Sequence, residues 1–381
     1  MKRQELVVDL VKAAFIVLIV KVMATSSTLI PWNDLIDGVC ITFALGVMLA
    51  KVIRFNLSLG RLFLLTALGS LILYTCVTMG QYDLVITMVT ILLLIDEDLE
   101  EYITLMMRVE IAFLILHVTI TGVLTLAGSG DAYWSWTDQR LRFDGGLAHA
   151  NILSSYVLSC MLMFAWKHFH RITPNQFLAM ALITVLTFLA TRSRTGLLLN
   201  CGLLVLIFLT QNEYRLITWA VDVAVPLVFP ALSALVYWSA TQYQGGNSIV
   251  LLMDKLLTGR LKYASYAYHR SGTTWLPRFL DYAESGVVSW APGWNLNTFT
   301  FDNVYSFLFM QMGMLWLGVI SLLILFASRR LDFRNRLFIL IWALYSMVEV
   351  HGLNCFKFFP LLLLTTLLSR KGAEDHPTSN D

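Results

Sequence analysis

The chain has 381 residues, of which 57% are hydrophobic and only 14% carry a charge. A soluble globular chain has roughly a quarter of its residues charged, so this composition excludes a soluble enzyme and indicates an integral membrane protein with several spans. The formal net charge is only +2, so no nucleic acid partner is expected, and the information lies in where the charges are placed.

Apolar stretches long enough to cross a bilayer follow one another along the chain. About 20 apolar residues are needed to cross the hydrocarbon core. The sequence therefore predicts an all-α integral membrane protein of about twelve transmembrane helices, with ten or eleven as alternatives, and residues 1 to 381 as a single polytopic domain. The predicted spans are 6 to 24, 35 to 53, 60 to 79, 82 to 95, 103 to 127, 149 to 166, 176 to 191, 196 to 210, 216 to 239, 303 to 327, 335 to 350 and 353 to 369.

The basic residues of the short connections fall on one face of the predicted bundle. Short loops rich in lysine and arginine stay in the cytoplasm, and an even number of spans puts both termini on that side. The predicted location is the cytoplasmic (inner or plasma) membrane, with residues 372 to 381 as a short cytoplasmic tail. The basic residues concerned are Lys2, Arg3, Lys51, Arg54, Arg61, Lys167, Arg171, Arg215, Arg329, Arg330, Arg334, Arg336, Arg370 and Lys371.

Two long connections lie on the predicted outer face, from 128 to 148 and from about 240 to 302. The second is too polar to span and too aromatic for a disordered linker, which predicts short helices or a compact lid. Its aromatic rings either form a belt at the bilayer interface or stack on sugar rings. These rings are Tyr263, Tyr266, Tyr268, Trp275, Trp290 and Trp294.

The outer face also carries arginines that the orientation rule for short loops disfavours, which predicts a site for an anionic substrate. Arginine suits phosphate because its planar guanidinium donates two parallel hydrogen bonds. For Arg192 and Arg194 the alternative is snorkelling from helix ends to lipid headgroups. Gly196 and Gly259, beside two of the arginines, are expected to allow close backbone approach. The arginines are Arg142, Arg192, Arg194 and Arg260.

Five short strings follow one another in the later part of the chain. They are Arg142-Phe-Asp-Gly-Gly-Leu-Ala-His149-Ala-Asn151, Thr191-Arg192-Ser-Arg194-Thr195-Gly196, Leu257-Thr-Gly259-Arg260-Leu261, Asp302-Asn303-Val-Tyr305 and Glu349-Val-His351-Gly-Leu-Asn354. In this order, over roughly residues 140 to 360, they resemble the polysaccharide polymerase and O-antigen ligase family of bacterial membrane glycosyltransferases. The chain departs from the family at Ala150, where proline is common.

The resemblance implies a GT-C-like helical membrane fold with its site at the outer surface. It implies a donor in which an oligosaccharide is joined through a diphosphate to a polyprenol such as undecaprenol, and a reaction without metal or cofactor. The implied activity is polymerisation of these repeat units into a capsular polysaccharide, exopolysaccharide or O-antigen. The implied partners are the lipid-linked oligosaccharide, the growing glycan and the lipid bilayer, with a chain-length regulator as a further candidate.

Two alternatives stay open beside the polymerase. One is a ligase that transfers finished glycan to an acceptor, which uses the same donor chemistry. The other, from a different class, is a flippase for lipid-linked oligosaccharide. Transporters of that kind commonly show internal repeats and sites near the midplane. No repeat is visible in this chain, and its polar groups crowd the predicted outer surface, which favours the enzyme.

Glycosyl transfer needs a base for the acceptor hydroxyl and positive charge for the leaving diphosphate. The candidates for the base are His149, Glu349, His351 and His269, and the candidate catalytic residues are His149, Glu349 and Arg194. The candidate substrate-binding residues are Arg142, Arg192, Arg260, Asn151, Asp302, Asn303 and His351. Four of these residues have a structural alternative. It is a helix-end role for His149, pairing with an arginine for Glu349, and helix capping for Asp302 and Asn303.

Overall fold

The computed structural model describes residues 2–53, 59–79, 83–129, 133–137, 140–169, 171–211, 215–257, 259–279 and 301–367. Within these ranges the regular secondary structure is helical apart from one two-stranded antiparallel hairpin. Trp290, Trp294 and the predicted tail from 372 to 381 lie outside the described residues.

The first half of the chain forms six helices and the hairpin. The helices are α1 (Lys2–Thr25), α2 (Asp34–Val52), α3 (Leu59–Met79), α4 (Asp83–Leu93), α5 (Leu99–Leu124) and α6 (Ala150–Lys167). The hairpin of β1 (Trp134–Thr137) and β2 (Arg140–Phe143) lies in the predicted outer connection between α5 and α6. The all-α prediction did not include it.

The second half of the chain contains further helices. They are α7 (Pro174–Thr191), α8 (Arg194–Gln211), α9 (Arg215–Gln242), α10 (Ser248–Leu256), α11 (Arg260–Ser271), α12 (Val304–Phe307), α13 (Met314–Ser328) and α14 (Phe333–Tyr345). A π-helical turn at Leu308–Met312 links α12 to α13, and 3-10 segments at Val350–Leu353 and Phe359–Leu367 follow α14. The described part of the 240 to 302 connection thus contains two short helices, α10 and α11.

Five helices among the described residues are long and apolar enough to cross a membrane. They cover Asp34–Val52, Leu99–Gly128, Pro174–Thr191, Arg194–Gln211 and Arg215–Gln242. Shorter apolar helices lie at Leu65–Met79, Asp83–Leu93 and Met314–Ser328. Large apolar side chains cover the outside of several helices, as in Val77 at 79% and Leu178 at 68% exposure, which lipid would bury. The chain is therefore a helical membrane protein, while the twelve-span count, the GT-C-like fold and the orientation stay predictions.

The ends of α7 show how the sequence sets helix boundaries. Thr173 accepts a hydrogen bond from the Gln176 N–H and its own N–H donates to the Gln176 side chain, while Pro174 occupies the first turn. This capping box satisfies donors that no helical carbonyl reaches. At the other end Arg192 adopts φ 53° and ends the helix. The arginine string therefore falls directly after α7.

Aromatic packing fixes the segment after α14 against its neighbours. The Phe229 ring stacks on Trp342 at 5.1 Å between centroids and contacts Tyr305 at 4.9 Å. The Trp342 indole N–H donates to the Gly352 carbonyl at 2.7 Å, and the Val304 N–H donates to the Ser346 carbonyl at 2.9 Å. These contacts hold residues 346–352 beside the start of α12.

The bundle has two chemically distinct ends. We call the end at which α6 begins and α7 ends the site end. At the opposite end the ion pairs include Lys12 with Glu101 at 2.7 Å and Lys51 with Glu97 at 2.5 Å. Among the basic residues that predict the cytoplasmic face, Lys51 pairs with Glu97, Lys167 donates to Thr104 and Arg334 donates to the Trp166 carbonyl, all at this opposite end. The prediction therefore makes the site end the outer one.

Candidate functional site

Arg142 joins the hairpin to the ends of two helices at the site end. Its Nε donates to the Thr191 carbonyl at 2.9 Å, and its Nη2 donates to the Asn151 side-chain oxygen. Thr191 ends α7 and Asn151 lies in the first turn of α6. Because the carbonyl that Arg142 binds directly precedes Arg192, this buried guanidinium orients the following arginine turn. The structure brings the predicted residues Arg142 and Asn151 together.

Arg192 and Arg194 flank the turn between α7 and α8. Both side chains are exposed, and among the described residues neither guanidinium makes a hydrogen bond or an ion pair. Arg192 lies in the left-handed region, which costs a residue with a Cβ roughly 1 to 2 kcal/mol. Between them Ser193 is buried, and its hydroxyl accepts the Gly196 N–H at 3.3 Å. The strained turn thus exposes two guanidinium groups that have no hydrogen-bond or ion-pair partner among the described residues.

Gly196 brings the start of α8 against α6. A Cβ at this position would lie 1.9 Å from the Ser154 hydroxyl oxygen, so only glycine allows this approach. The close approach expected from the sequence is present here. Ser155, the next residue on α6, shares a hydrogen bond with the Tyr345 hydroxyl at 3.3 Å. The second turn of α6 therefore contacts both α8 and the end of α14.

This approach can be tested with a matched pair of glycines on α8. Gly196→Val should force α6 and α8 apart and lower the free energy of unfolding by about 1 to 3 kcal/mol, the usual cost of overpacking. Gly202→Val should change it much less, because no atom lies within 4 Å of the Cβ position at Gly202. Thermal unfolding of the two purified variants in detergent measures the difference. Equal melting temperatures would contradict the close packing at Gly196.

Arg260 begins α11 directly after a glycine turn. Gly259 has φ 88°, a conformation that glycine adopts without strain, and no atom lies within 4 Å of its Cβ position. Among the described residues no atom approaches Gly259, so the glycine serves backbone conformation, and its close approach to a substrate stays a prediction. Arg260 is buried, and its Nη2 donates to the Glu349 Oε1 at 3.1 Å. This pair joins α11 to the turn after α14.

Glu349 is an extended residue in the non-helical turn between α14 and the 3-10 segment Val350–Leu353. Burial raises the pKa of Glu349 to about 7; the Arg260 charge opposes this shift, and the Asp302 charge adds to it. A carboxyl group with a pKa near 7 exchanges its proton readily at neutral pH, which is the property of a general base. Glu349 thus pairs with an arginine, which was the structural alternative predicted for it. It also keeps the capacity to accept a proton.

The His149 ring caps the start of α6. The ring is exposed, and its Nδ1 accepts the Asn151 N–H at 3.1 Å. In the neutral imidazole this places the proton on Nε2 and engages the lone pair that a base would use. The structural alternative for His149 is present, and Glu349 is the stronger candidate for the base.

The string from Glu349 to Asn354 distributes its polar side chains between two clusters. Glu349 faces Arg260, whereas His351 accepts a hydrogen bond from the Lys357 ammonium at 3.4 Å. Asn354 is fully buried and donates to the Asp83 carboxylate at 2.9 Å. Burial and the nearby Lys357 charge lower the pKa of His351 well below its usual value, so its ring is neutral. His351 therefore belongs to a second cluster that includes Asp83.

Asp302 and Asn303 have separate roles at the start of α12. Asn303 is buried, and its side-chain oxygen accepts the Ser306 N–H at 2.7 Å, which is helix capping. Asp302 lies close enough to Glu349 for its charge to favour the protonated carboxyl. Capping thus accounts for Asn303, while Asp302 acts on the electrostatics of the Arg260–Glu349 pair.

A small cavity of about 100 Å³ separates α8 from the turn before α11. Thr195, Leu199, Leu257, Arg260 and Val348 are among its lining residues. The volume is about that of three waters and is lined mainly by leucine, so it suits methyl groups rather than a sugar ring. Because Thr195 directly follows Arg194, the cavity links the exposed arginine turn to the buried Arg260.

The described rings of the second connection divide between packing and exposure. Tyr266 is buried, and its hydroxyl accepts a hydrogen bond from Arg270 at 2.9 Å. Tyr268 packs edge-on against Tyr237 at 5.6 Å between centroids. Trp275 is 74% exposed. Of Tyr266, Tyr268 and Trp275, Trp275 is the most exposed ring, and its face is open to a sugar or to lipid.

Sequence reasoning missed several residues that shape the site. Asp83 opens the short apolar helix α4, and a carboxylate at the edge of an apolar stretch is the same signal that singled out Glu349. Ser154 and Tyr345 carry no such signal, because a serine and a tyrosine within apolar helices are ordinary. Their contacts with Gly196 and Ser155 depend on which helices are neighbours.

Comparison of the chain with family models, with curated proteins and with solved structures gives no match. The resemblance of its motifs to the polymerase and ligase family, and everything implied by it, therefore stay predictions.

Proposed function

We propose that this protein is a membrane glycosyltransferase that joins polyprenyl-diphosphate-linked oligosaccharide repeat units into a polysaccharide chain. One observation carries the proposal. Two exposed arginines, Arg192 and Arg194, lie at the same end of the bundle as a buried Arg260–Glu349 pair, in which the pKa of Glu349 is raised to about 7. Cations for an anionic leaving group and a carboxyl able to take a proton are the two requirements of the reaction.

In this proposal the diphosphate of the donor lies against Arg192 and Arg194. Their guanidinium groups donate to phosphate oxygens and stabilise the negative charge that grows as the bond to the anomeric carbon breaks. Arg142 contributes indirectly, because it holds the Thr191 carbonyl and with it the turn. Lipid headgroups are the competing ligand of these arginines, since snorkelling side chains bind the same phosphate chemistry.

Glu349 is the proposed base. Its carboxylate takes the proton of the acceptor hydroxyl while that oxygen attacks the anomeric carbon and the lipid diphosphate leaves with the bonding electrons. Arg260 favours the ionised carboxylate, and burial favours its protonated form, so the two opposing influences keep Glu349 near the balance point at neutral pH. The reaction so written needs no cofactor.

A flippase is the second candidate function, and a specific observation favours it. Glu110 is a completely buried carboxyl group inside the long apolar helix α5. Carboxyl groups at this depth mark proton pathways in many pumps and transporters. The ligase shares the donor chemistry of the polymerase, and none of the contacts above favours one of the two over the other.

Deleting the protein from its host separates the three candidates. Loss of a polymerase should leave single repeat units on the lipid carrier at the outer face, and long chains should disappear. The measurement is the length and the sidedness of lipid-linked glycan in the deletion strain, with the reintroduced gene as control. Long chains still attached to the carrier would instead identify a ligase, and single units trapped on the cytoplasmic face would identify a flippase.

A further inference from the structure

Glu110 lies near mid-depth in α5, far from the arginines of the site end. At 1.5 Å per residue it is roughly 16 Å from the start of the helix and roughly 21 Å from its end. Its side chain has no exposed surface. A carboxyl group in this position is rare in membrane helices and is functional by default.

The neighbours of Glu110 do not neutralise a negative charge. Its Oε2 contacts the Cys160 thiol at 3.6 Å, and the Ser159 hydroxyl is beside it. Within the described residues Oε1 has no hydrogen bond of ordinary geometry. An ionised carboxylate would be very costly here, because a thiol and a hydroxyl cannot replace its hydration. The group therefore carries its proton.

The charged groups described on the elements packed on α5 are engaged elsewhere or exposed. Lys167 of α6 donates to the Thr104 hydroxyl at 3.0 Å, and Asp9 of α1 is exposed. On α1, Lys12 pairs with Glu101 and Lys21 pairs with Asp37 at 3.1 Å. On α5 itself Arg108 is exposed. The 3-10 segment Phe359–Leu367 contains no titratable side chain. The titratable groups that face Glu110 are Cys160 and Tyr156 of α6, both neutral in their ordinary forms.

Hydroxyl groups lie between this region and the site end. Tyr156 lies one helical turn before Cys160 and so on the same face of α6. Its hydroxyl shares a hydrogen bond with Ser26 at 3.3 Å, and the Ser27 hydroxyl is 2.8 Å from the His117 Nε2. Because His117 Nδ1 faces the Phe113 carbonyl at 3.1 Å and must donate to it, Nε2 accepts from Ser27. Ser27 lies in the connection after α1, where the chain leaves the bundle.

We propose that Glu110 is a proton-binding site inside the membrane and that its proton exchanges with the site end through Tyr156, Ser26, Ser27 and His117. The ligand is the proton itself. The proposal is independent of glycosyl transfer, because none of these residues belongs to the arginine cluster. It provides the group that a proton-coupled step would use, whichever of the candidate functions is correct.

Infrared difference spectroscopy of the reconstituted full-length protein tests the site. The wild type minus Glu110→Gln spectrum should show the C=O band of a protonated carboxyl group at neutral pH, and the band should shift when H₂O is replaced by D₂O. Glutamine has the shape of the neutral acid, so this variant should fold. If the difference spectrum shows carboxylate bands instead, or a C=O band that never shifts in D₂O, Glu110 is not an exchanging proton site.

The route is tested in the same experiment with a matched pair of tyrosines. Tyr156→Phe removes one hydroxyl and keeps the ring, so the C=O band should remain while its shift in D₂O becomes slower. Tyr305→Phe is the control, because Tyr305 is equally buried but its hydroxyl donates to the Ala343 carbonyl at 2.7 Å, outside the route. Exchange as fast in Tyr156→Phe as in the wild type would overturn the route, and equal slowing in both variants would attribute the effect to packing.

Discussion

Replacing Arg260 with alanine should reduce glycan polymerisation by about 10²- to 10⁴-fold, the range expected for loss of a general base, because Glu349 without its guanidinium partner stays protonated. The variant loses the guanidinium that contacts Glu349 and lines the cavity next to Thr195. Arg260→Lys should recover part of the activity, because a lysine ammonium keeps the charge without the bidentate geometry. Polymer length from purified lipid-linked repeat units in proteoliposomes is the measurement.

The difficulty with Arg260→Ala is that it also leaves Glu349 buried without its partner, which destabilises a protein in its own right. The double variant Arg260→Ala with Glu349→Gln removes both charges. It should accumulate and unfold like the wild type and still make no polymer. If the double variant regains activity, Glu349 is not the base and Arg260 serves only to neutralise it.

Arg270→Ala is the matched control for the arginine itself. Arg270 lies on the same helix, is exposed and donates to the Tyr266 hydroxyl instead of to Glu349. Its loss should leave polymerisation close to the wild-type level. Equal losses in Arg260→Ala and Arg270→Ala would indicate a general dependence on α11 rather than a specific role of the buried pair.

Local chemistry explains what the sequence could predict. Long apolar stretches bounded by charged residues predicted helical spans, and five helices of sufficient length and hydropathy overlap five of those spans, with ends that differ by up to four residues. The glycine at 196 predicted close approach because no other residue allows it, and Ser154 is the group that approaches. These inferences needed only composition, spacing and steric requirements.

Contacts between distant segments could not be predicted in the same way. Nothing in the spacing of Glu349, His351 and Asn354 tells which faces Arg260 and which faces Asp83, because that depends on how a 3-10 segment turns after α14. The hairpin before α6 could not be predicted either, because a short two-stranded pair in a polar connection has little hydrophobic pattern. Glu110 was inside a predicted span, but its isolation from cations became visible only with its neighbours in place.

Replacing Glu349 with glutamine should slow polymerisation by about 10²- to 10⁴-fold, the range expected for loss of a general base. In the wild type, activity should rise as the pH rises through about 7, because the carboxyl must be ionised to accept the acceptor proton. The residual activity of Glu349→Gln should lack this rise. A variant whose pH profile matches the wild type would exclude Glu349 as the base and return His149 to consideration.

The free energy of unfolding should fall as the pH rises, whereas the activity should rise. Burial raises the pKa of Glu349 from 4.5 to about 7, so the folded state binds this proton more tightly than the unfolded state does. The resulting stabilisation, on the order of 3 kcal/mol, is complete below pH 4.5 and is lost as the pH rises through about 7. Thermal unfolding in detergent should therefore show the wild type losing stability over that interval and Glu349→Gln losing less. Glu97→Gln, at the ion pair with Lys51 in the opposite end, is the control that should leave both the activity profile and the Glu349 titration unchanged.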